Sequence, residues 1–380
     1  MAFSDLGLAE PLLKAVAAQK YNNPYPIQEQ AIPAILSGKD VLGIAQTGSG
    51  KTAGFVLPVL QQLQTKQPSR NRYIKVLVLV PTRELAVQVG DVFRTFGSNL
   101  PRRVKSLAVY GGVSVNPQMM ALQNTEVLVA TPGRLLDLVS SNALYLSEVE
   151  VLVLDEADKM LNLGFEEEMQ KIFALLPAKR QNILFSATLA GSVEIIKEKL
   201  LINPVTIEIE QKAETTDLIT QVAYQVGSER KGPLLRYLIK EKDMQQVLVF
   251  VSSTKRADNV TEKLQKNGIE AMAMHSKKSQ GARTEALQKF KAGKVRVLVA
   301  TDLASRGIDI QFLPYVINYD LPRSPKDYVH RIGRTGRAES AGEALSLISP
   351  EDAHHFKIIQ KKMGKRVSMV ETDELELQGF

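Results

Sequence analysis

No cysteine occurs in the 380 residues, which excludes disulfides and cysteine-ligated zinc and fits a reducing compartment. Long apolar runs are also missing: VLVLV at 76–80 falls far short of the roughly 20 residues that span a bilayer. The opening stretch, MAFSDLGLAEPLL, has neither a basic leader nor an apolar core with a small-residue cleavage site, so a cytoplasmic protein with no membrane partner is expected. No period of about 20–50 residues repeats, which argues against a solenoid. What is present is ordinary for packed domains, with 44% hydrophobic and 23% charged residues. A chain of 380 residues exceeds what one hydrophobic core serves, so two domains are expected. Lys and Arg outnumber Asp and Glu by 48 to 41, and the net charge of +7 admits a polyanionic partner without establishing one.

From about Lys39 to Ile209, short β-branched runs alternate with helical patterns: DVLGIA, KVLVLVP, KSLAVYGG, EVLVATP, VEVLVLDEAD, NILFSAT and VTIEIE. Strands this apolar belong to parallel sheets covered by helices on both faces, so the pattern predicts a doubly wound α/β domain. The segment EIEQKAETTD, 208–217, is charged, rich in Thr and poor in large apolar residues, and reads as a linker. A second series follows in QVLVFVSS, EAMAMHS, VRVLVATD, YVINYD and EALSLIS. Two similar domains are expected at 1–209 and 218–380, with a short linker at 210–217.

AQTGSGKT, 45–52, lies between the strand DVLGI and a helical pattern, the context that a phosphate-binding loop requires. Ala45, Gln46, Thr47 and Ser49 make up the loop with Gly48 and Gly50, whose small size lets backbone N–H groups crowd around phosphate oxygens at a helix N-terminus. Lys51 would neutralise the β- and γ-phosphates, and Thr52 would ligate magnesium. The strict pattern has Gly where Ala45 stands, and a glycine-rich turn that binds nothing is the alternative. VLVLDEAD, 151–158, ends an apolar strand in Asp155, Glu156 and Asp158. Carboxylates at the carboxyl end of a parallel strand, beside a phosphate loop, gain a magnesium ion there. Asp155 then holds the metal, while Glu156 orients and deprotonates the attacking water. A solvated acidic helix start is the alternative.

DEAD stands literally at 155–158, and along almost its whole length the chain resembles the DEAD-box RNA helicases. The resemblance implies two RecA-like doubly wound parallel-sheet domains, ATP and Mg2+ as cofactors, and ATP-dependent unwinding or remodelling of RNA. YNNPYPIQ at 21–28 resembles the adenine-recognising Q motif: Pro26 and Gln28 match, Phe3 takes the place of the upstream aromatic, and Tyr25 stands where the family commonly has Thr. The Gln28 amide offers adenine one donor and one acceptor, and Phe3 can stack on the base. A surface Gln and a Phe stapled to its own helix are the alternatives. PTREL at 81–85, GG at 111–112 and TPGR at 131–134 resemble the family's RNA-binding motifs. Pro81, Thr82, Arg83, Gly111, Gly112, Thr131, Pro132, Gly133 and Arg134 are therefore an expected phosphate track. SAT at 186–188 resembles the motif that couples ATP state to unwinding, with the hydroxyls of Ser186 and Thr188 bonded to the acidic motif and its Asp158.

ATDLASRGIDI at 300–310 and YVHRIGRTGR at 328–337 resemble the family's fifth and sixth motifs. The resemblance assigns Arg334 and Arg337 to the γ-phosphate, His330 to contact between motifs, Asp309 to the ribose and Thr301 to RNA. Arg331, Arg334 and Arg337 repel one another unless anions separate them, and a solvated basic patch is the alternative. HSKKSQGAR at 275–283 resembles a further RNA-binding segment in which Gln280 and Arg283 match and Ser276 departs; KSQGAR is closest to the bacterial RhlE-like subgroup. The sequence stops at ETDELELQGF without the basic low-complexity tail of many such proteins, which leaves a bare core or a trimmed chain. The expected protein is a monomeric core that binds single-stranded RNA and short duplexes through backbone contacts. An ATP-gated RNA clamp with little unwinding carries the same motifs, and a DNA translocase is disfavoured by the DEAD tetrad and the Q-like segment.

Overall fold

The computed structural model describes all residues except 47, 99, 190, 210–218, 303–312 and 337–341. The chain divides into two compact units, Met1–Gln211 and Lys212–Phe380. Among the described residues the first unit contains seven strands: β1 Val41–Ile44, β2 Val76–Leu79, β3 Ser106–Val109, β4 Val127–Ala130, β5 Val151–Leu154, β6 Gln181–Ser186 and β7 Val205–Glu208. They form one sheet in the order β3-β4-β2-β5-β6-β1-β7, and every pair is parallel. Alternate residues of a strand face opposite sides, and here both sides are apolar. Val76, Val78, Val127, Val129, Val151 and Val153 enter one core layer, while Leu77, Leu79, Leu128, Leu152 and Leu154 enter the other. In β1, Gly43 has no side chain because the Phe185 ring of β6 lies where its Cβ would be.

The second unit contains β8 Ile219–Gln225, β9 Val247–Val251, β10 Ala271–Met274, β11 Val297–Thr301, β12 Tyr315–Asn318, β13 Gly342–Ile348 and β14 Ser368–Glu371. Its order, β10-β11-β9-β12-β13-β8-β14, repeats that of the first sheet strand for strand, again all parallel. The sequence pattern marked five of these strands but neither β8 nor β14. β8 alternates Ile219, Gln221 and Ala223 inward with Thr220 outward, and β14 is an edge strand exposed at all four residues, so neither forms an apolar run. The expected linker at 210–217, together with Thr47, Asp309 and Arg337, lies outside the described residues. Among the described residues, no helix is long and apolar enough to cross a membrane.

Candidate functional site

All strands of a parallel sheet end on one edge, and six motifs of the first unit sit on that edge. The glycine loop at 45–52 follows β1, the DEAD tetrad follows β5, and SAT closes β6, which lies between those two strands. PTREL follows β2, GG follows β3 and TPGR follows β4. Strand order therefore sorts the edge: the two motifs expected at ATP and the coupling motif SAT share β5-β6-β1, and the three expected at RNA share β3-β4-β2.

Gly48 and Gly50 have φ of 85° and 89°, the left-handed region that glycine enters without steric cost, and Gly50 caps the helix Lys51–Gln64. A Cβ on Gly50 would also stand 2.6 Å from Gln28 Nε2 and 2.8 Å from Tyr25 Cδ2. Gln28 is buried; its Nε2 donates to the Gly50 carbonyl at 2.9 Å, and its Oε1 accepts from Tyr25 N–H at 3.0 Å. The residue thus ties the 21–28 segment to the loop and keeps one amide hydrogen and one lone pair for further bonds. Tyr25, read from sequence only as a departure, is 53% exposed and lies against the same glycine. Phe3 is packed in the core at 5% exposure, so the structure shows its packing role; base stacking rests on the resemblance.

Lys51 Nζ donates to the Ala45 carbonyl at 2.6 Å, and burial lowers its pKa while Asp155 and Glu156 oppose that shift. Thr52 is the next residue of the helix. Asp155 and Glu156 are 3% and 4% exposed, and burial pushes the Asp155 carboxyl up to about 6, against the pull of Lys51. Asp155 Oδ1 is buried without a hydrogen-bond partner among the described residues. An orphaned carboxylate oxygen beside a phosphate loop fits magnesium, which takes only one or two protein carboxylates and keeps phosphate oxygens and water as its other ligands. Glu156 has φ 56° and ψ 47°, unusual for a residue with a side chain, and its Oε1 accepts from Lys159 Nζ at 2.7 Å. Lys159 escaped the sequence reading; its place three residues after Glu156, one helical turn on, was the available signal. The contact between SAT and DEAD differs from expectation. Ser186 Oγ donates to Thr188 O at 2.7 Å, and the bond to Asp158 Oδ1 comes from the Ala187 backbone N–H at 3.5 Å instead of a hydroxyl.

The three RNA-motif turns touch one another. Thr82 caps the helix Arg83–Gly97 by accepting from Leu85 N–H, and Pro81 precedes it. Gly112 has φ of 72°, and a Cβ there would collide with the Arg83 guanidinium, so that guanidinium lies on the GG turn. Arg134 is 7% exposed, and its Nη2 donates to the Val113 carbonyl at 2.7 Å. It ties the start of the helix Pro132–Ser140 to the GG turn, and the expected pairing of Arg134 with RNA phosphate rests on the resemblance. Thr131 caps and Pro132 opens the helix Pro132–Ser140, and Gly133 leaves open space around its missing Cβ, as does Gly111.

In the second unit, Arg331 forms a two-bond pair with Asp302 at 2.6 and 2.7 Å, donates to Asn318 and the Asp320 carbonyl, and lies over the Phe250 ring. Asp302 is the anion that the three-arginine cluster called for, at its first member. Arg334 is half-buried, His330 is exposed at the end of the helix Pro325–Ile332, and Thr301 ends β11. Gln280 and Arg283 lie within the first turn of the helix Gln280–Lys291 and are largely buried. The position equivalent to the phosphate loop is closed: Lys231, which starts the helix after β8 as Lys51 does after β1, bonds Asp352 at 3.0 Å and Tyr319 O at 3.2 Å.

Two sheets of identical order, the first carrying on one edge a glycine loop and a buried acid with an unpaired oxygen, are the layout of a RecA-like protein that handles a nucleotide. Models of the DEAD/DEAH box helicase and of the helicase conserved C-terminal domain match residues 25–196 and 230–339, and the chain belongs to the DEAD-box helicase family. ATP-dependent RNA helicase CshA of Listeria monocytogenes is 40% identical over 366 residues, spanning 96% of this chain and 69% of that protein. DEAD-box ATP-dependent RNA helicase CshA of Bacillus cereus is 38% identical over 375 residues, spanning 98% and 70%. Among solved structures, S. cerevisiae Dbp5 bound to RNA and ADP BeF3 gives a TM-score of 0.83 at 32% identity over 98% of this chain and 96% of that one. A DEAD box protein from the hyperthermophile Methanococcus jannaschii gives 0.54 at 34% identity over 97% and 99%.

Proposed function

We propose that the chain is an ATP-dependent RNA helicase that hydrolyses ATP to remodel or locally unwind short RNA duplexes. The observation that carries this is the sorted strand edge of the first unit, with phosphate loop and acids on β5-β6-β1 and the turns expected at RNA on β3-β4-β2. In this reading residues 1–209 are the ATP-binding domain with its Q motif, and 218–380 are the C-terminal helicase domain. Asp155 and Thr52 would hold magnesium, which supplies charge neutralisation at the phosphates. Lys51 meets the β- and γ-phosphates, and Glu156 takes the proton of the water that attacks the γ-phosphorus. Arg334 and Arg337 stabilise the charge that develops there, Asp309 binds the ribose, and Gln28 recognises adenine. Arg83 contacts RNA phosphate, whereas Arg134 supports the GG turn. Backbone contacts predict little sequence preference, with the 2′-hydroxyl distinguishing RNA from DNA.

Each chain carries both motif sets, which supports a monomeric core, and ATP and RNA as substrates support a cytoplasmic place of action. KSQGAR supports the RhlE-like subgroup, while the curated relatives above bear the name CshA. Strand separation of a short RNA duplex with ATP is the test. Release of the strand with ATP, and none for Lys51→Ala, is expected; tight ATP-dependent binding without release would favour the clamp.

A further inference from the structure

Lys159 directly follows the DEAD tetrad and belongs to none of the motifs that carry the family resemblance. Its ammonium bonds Glu156 Oε1 at 2.7 Å, with the Lys159 side chain 21% and the Glu156 side chain 6% exposed. The left-handed backbone of Glu156 places it ahead of the helix Ala157–Asn162, and Lys159 reaches back to it from one turn further on. Asp155, Glu156 and Asp158 crowd this strand end, and among the described residues Lys51 and Lys159 both act on the Asp155 carboxyl. These two differ in what else they must do. Lys51 belongs to the loop, and in the nucleotide-bound protein its ammonium serves phosphate oxygens. Lys159 belongs to the same helix start as the acids, so its hold on Glu156 does not compete with the nucleotide.

We propose that Lys159 is a positioning residue for hydrolysis: by holding one oxygen of the Glu156 carboxylate, it directs the other toward the attacking water. The proposal rests on Glu156 being the base. Neither the metal nor the phosphates need touch Lys159, so its loss acts on the orientation of the base and leaves ATP binding nearly intact.

The test is RNA-saturated ATP turnover of Lys159→Gln, Lys159→Arg, Glu156→Gln and the double variant Glu156→Gln with Lys159→Gln. Misplacing a catalytic group lowers kcat steeply, so Lys159→Gln should lose about 10- to 100-fold. Its KM for ATP should stay within about twofold, because ground-state binding is untouched. Lys159→Arg, which keeps a charged donor, should recover most of the rate. Adding Lys159→Gln to Glu156→Gln should cost nothing more, since residues that act through one another are non-additive. A normal kcat in Lys159→Gln overturns the proposal, as does equal loss in the Gln and Arg variants or an independent second loss in the double variant. Normal turnover in Glu156→Gln would overturn the base assignment itself, and the role of Lys159 with it.

Discussion

Asp155 is a carboxylate taken almost wholly out of water, and burial raises its pKa from the ordinary 3.8 to about 6, with Lys51 opposing and Glu156 adding to the rise. Between those values the folded chain binds the proton more tightly than the unfolded chain, so stability falls as pH rises from about 4 to about 6 and levels off above. Asp155→Asn removes the buried charge, and the nucleotide-free variant should match the parent near pH 4 and exceed it by on the order of 2 kcal/mol at about pH 7.5, while losing turnover. Denaturant unfolding at both pH values checks this, and equal stability throughout would contradict it. A site that carries such a penalty without its ligand gains from magnesium and nucleotide. Lys51 and Asp155 were legible in the sequence because a lysine closing a glycine loop and acids ending an apolar strand have few other uses. The Arg134 bond to Val113 was not, because it joins residues on different turns that only the folded sheet brings together.

Turns at strand ends owe their shape to contacts as close as these. Gly112→Ala would force the Arg83 guanidinium off the GG turn and strain a backbone at φ of 72°, so RNA binding should weaken several-fold while nucleotide affinity without RNA holds. A parallel RNA titration and nucleotide titration read both effects; equal losses in the two would indicate a general folding defect. Arg83→Ala should reduce the salt slope of RNA binding by roughly 0.7, the value of one single-strand phosphate contact. Arg134→Ala should lower affinity at an unchanged slope, because that arginine is buried under the turn, and a slope change of equal size would restore it as a phosphate ligand. Within the sheets, Gly43→Ala drives a Cβ into Phe185 and should cost about 1–3 kcal/mol of stability, measured by chemical denaturation of the first unit. β1, β2, β4, β5 and β6 were visible as apolar runs because both of their faces are covered, and β3 and β7 by their β-branched and apolar residues although they are only partly buried. β8 and β14 were not, since one alternates polar residues and the other is an exposed edge.

The two units share one strand order but not one chemistry. In the first, the end of β1 opens into the glycine loop; in the second, the end of β8 leads to a lysine already spent on Asp352 and Tyr319. That asymmetry was hidden in the sequence, because Lys231 does not sit in a glycine-rich string and its partners lie far along the chain. Both core layers of the first unit are drawn from residues 3–207, so a fragment of residues 1–209 should fold and bind nucleotide. Without Arg334 and Arg337 it should lose about 10³ to 10⁵ of RNA-stimulated turnover, the usual contribution of arginine fingers. Full-rate hydrolysis by the fragment would end the two-domain mechanism. Whether RNA drives ATP hydrolysis by this chain is read from one measurement: the ATP turnover rate of the whole chain with no nucleic acid, with RNA, and with DNA of the same sequence. Turnover should be slow alone, rise strongly with RNA and rise little with DNA; a rate that ignores RNA, or that DNA raises equally, would contradict the account.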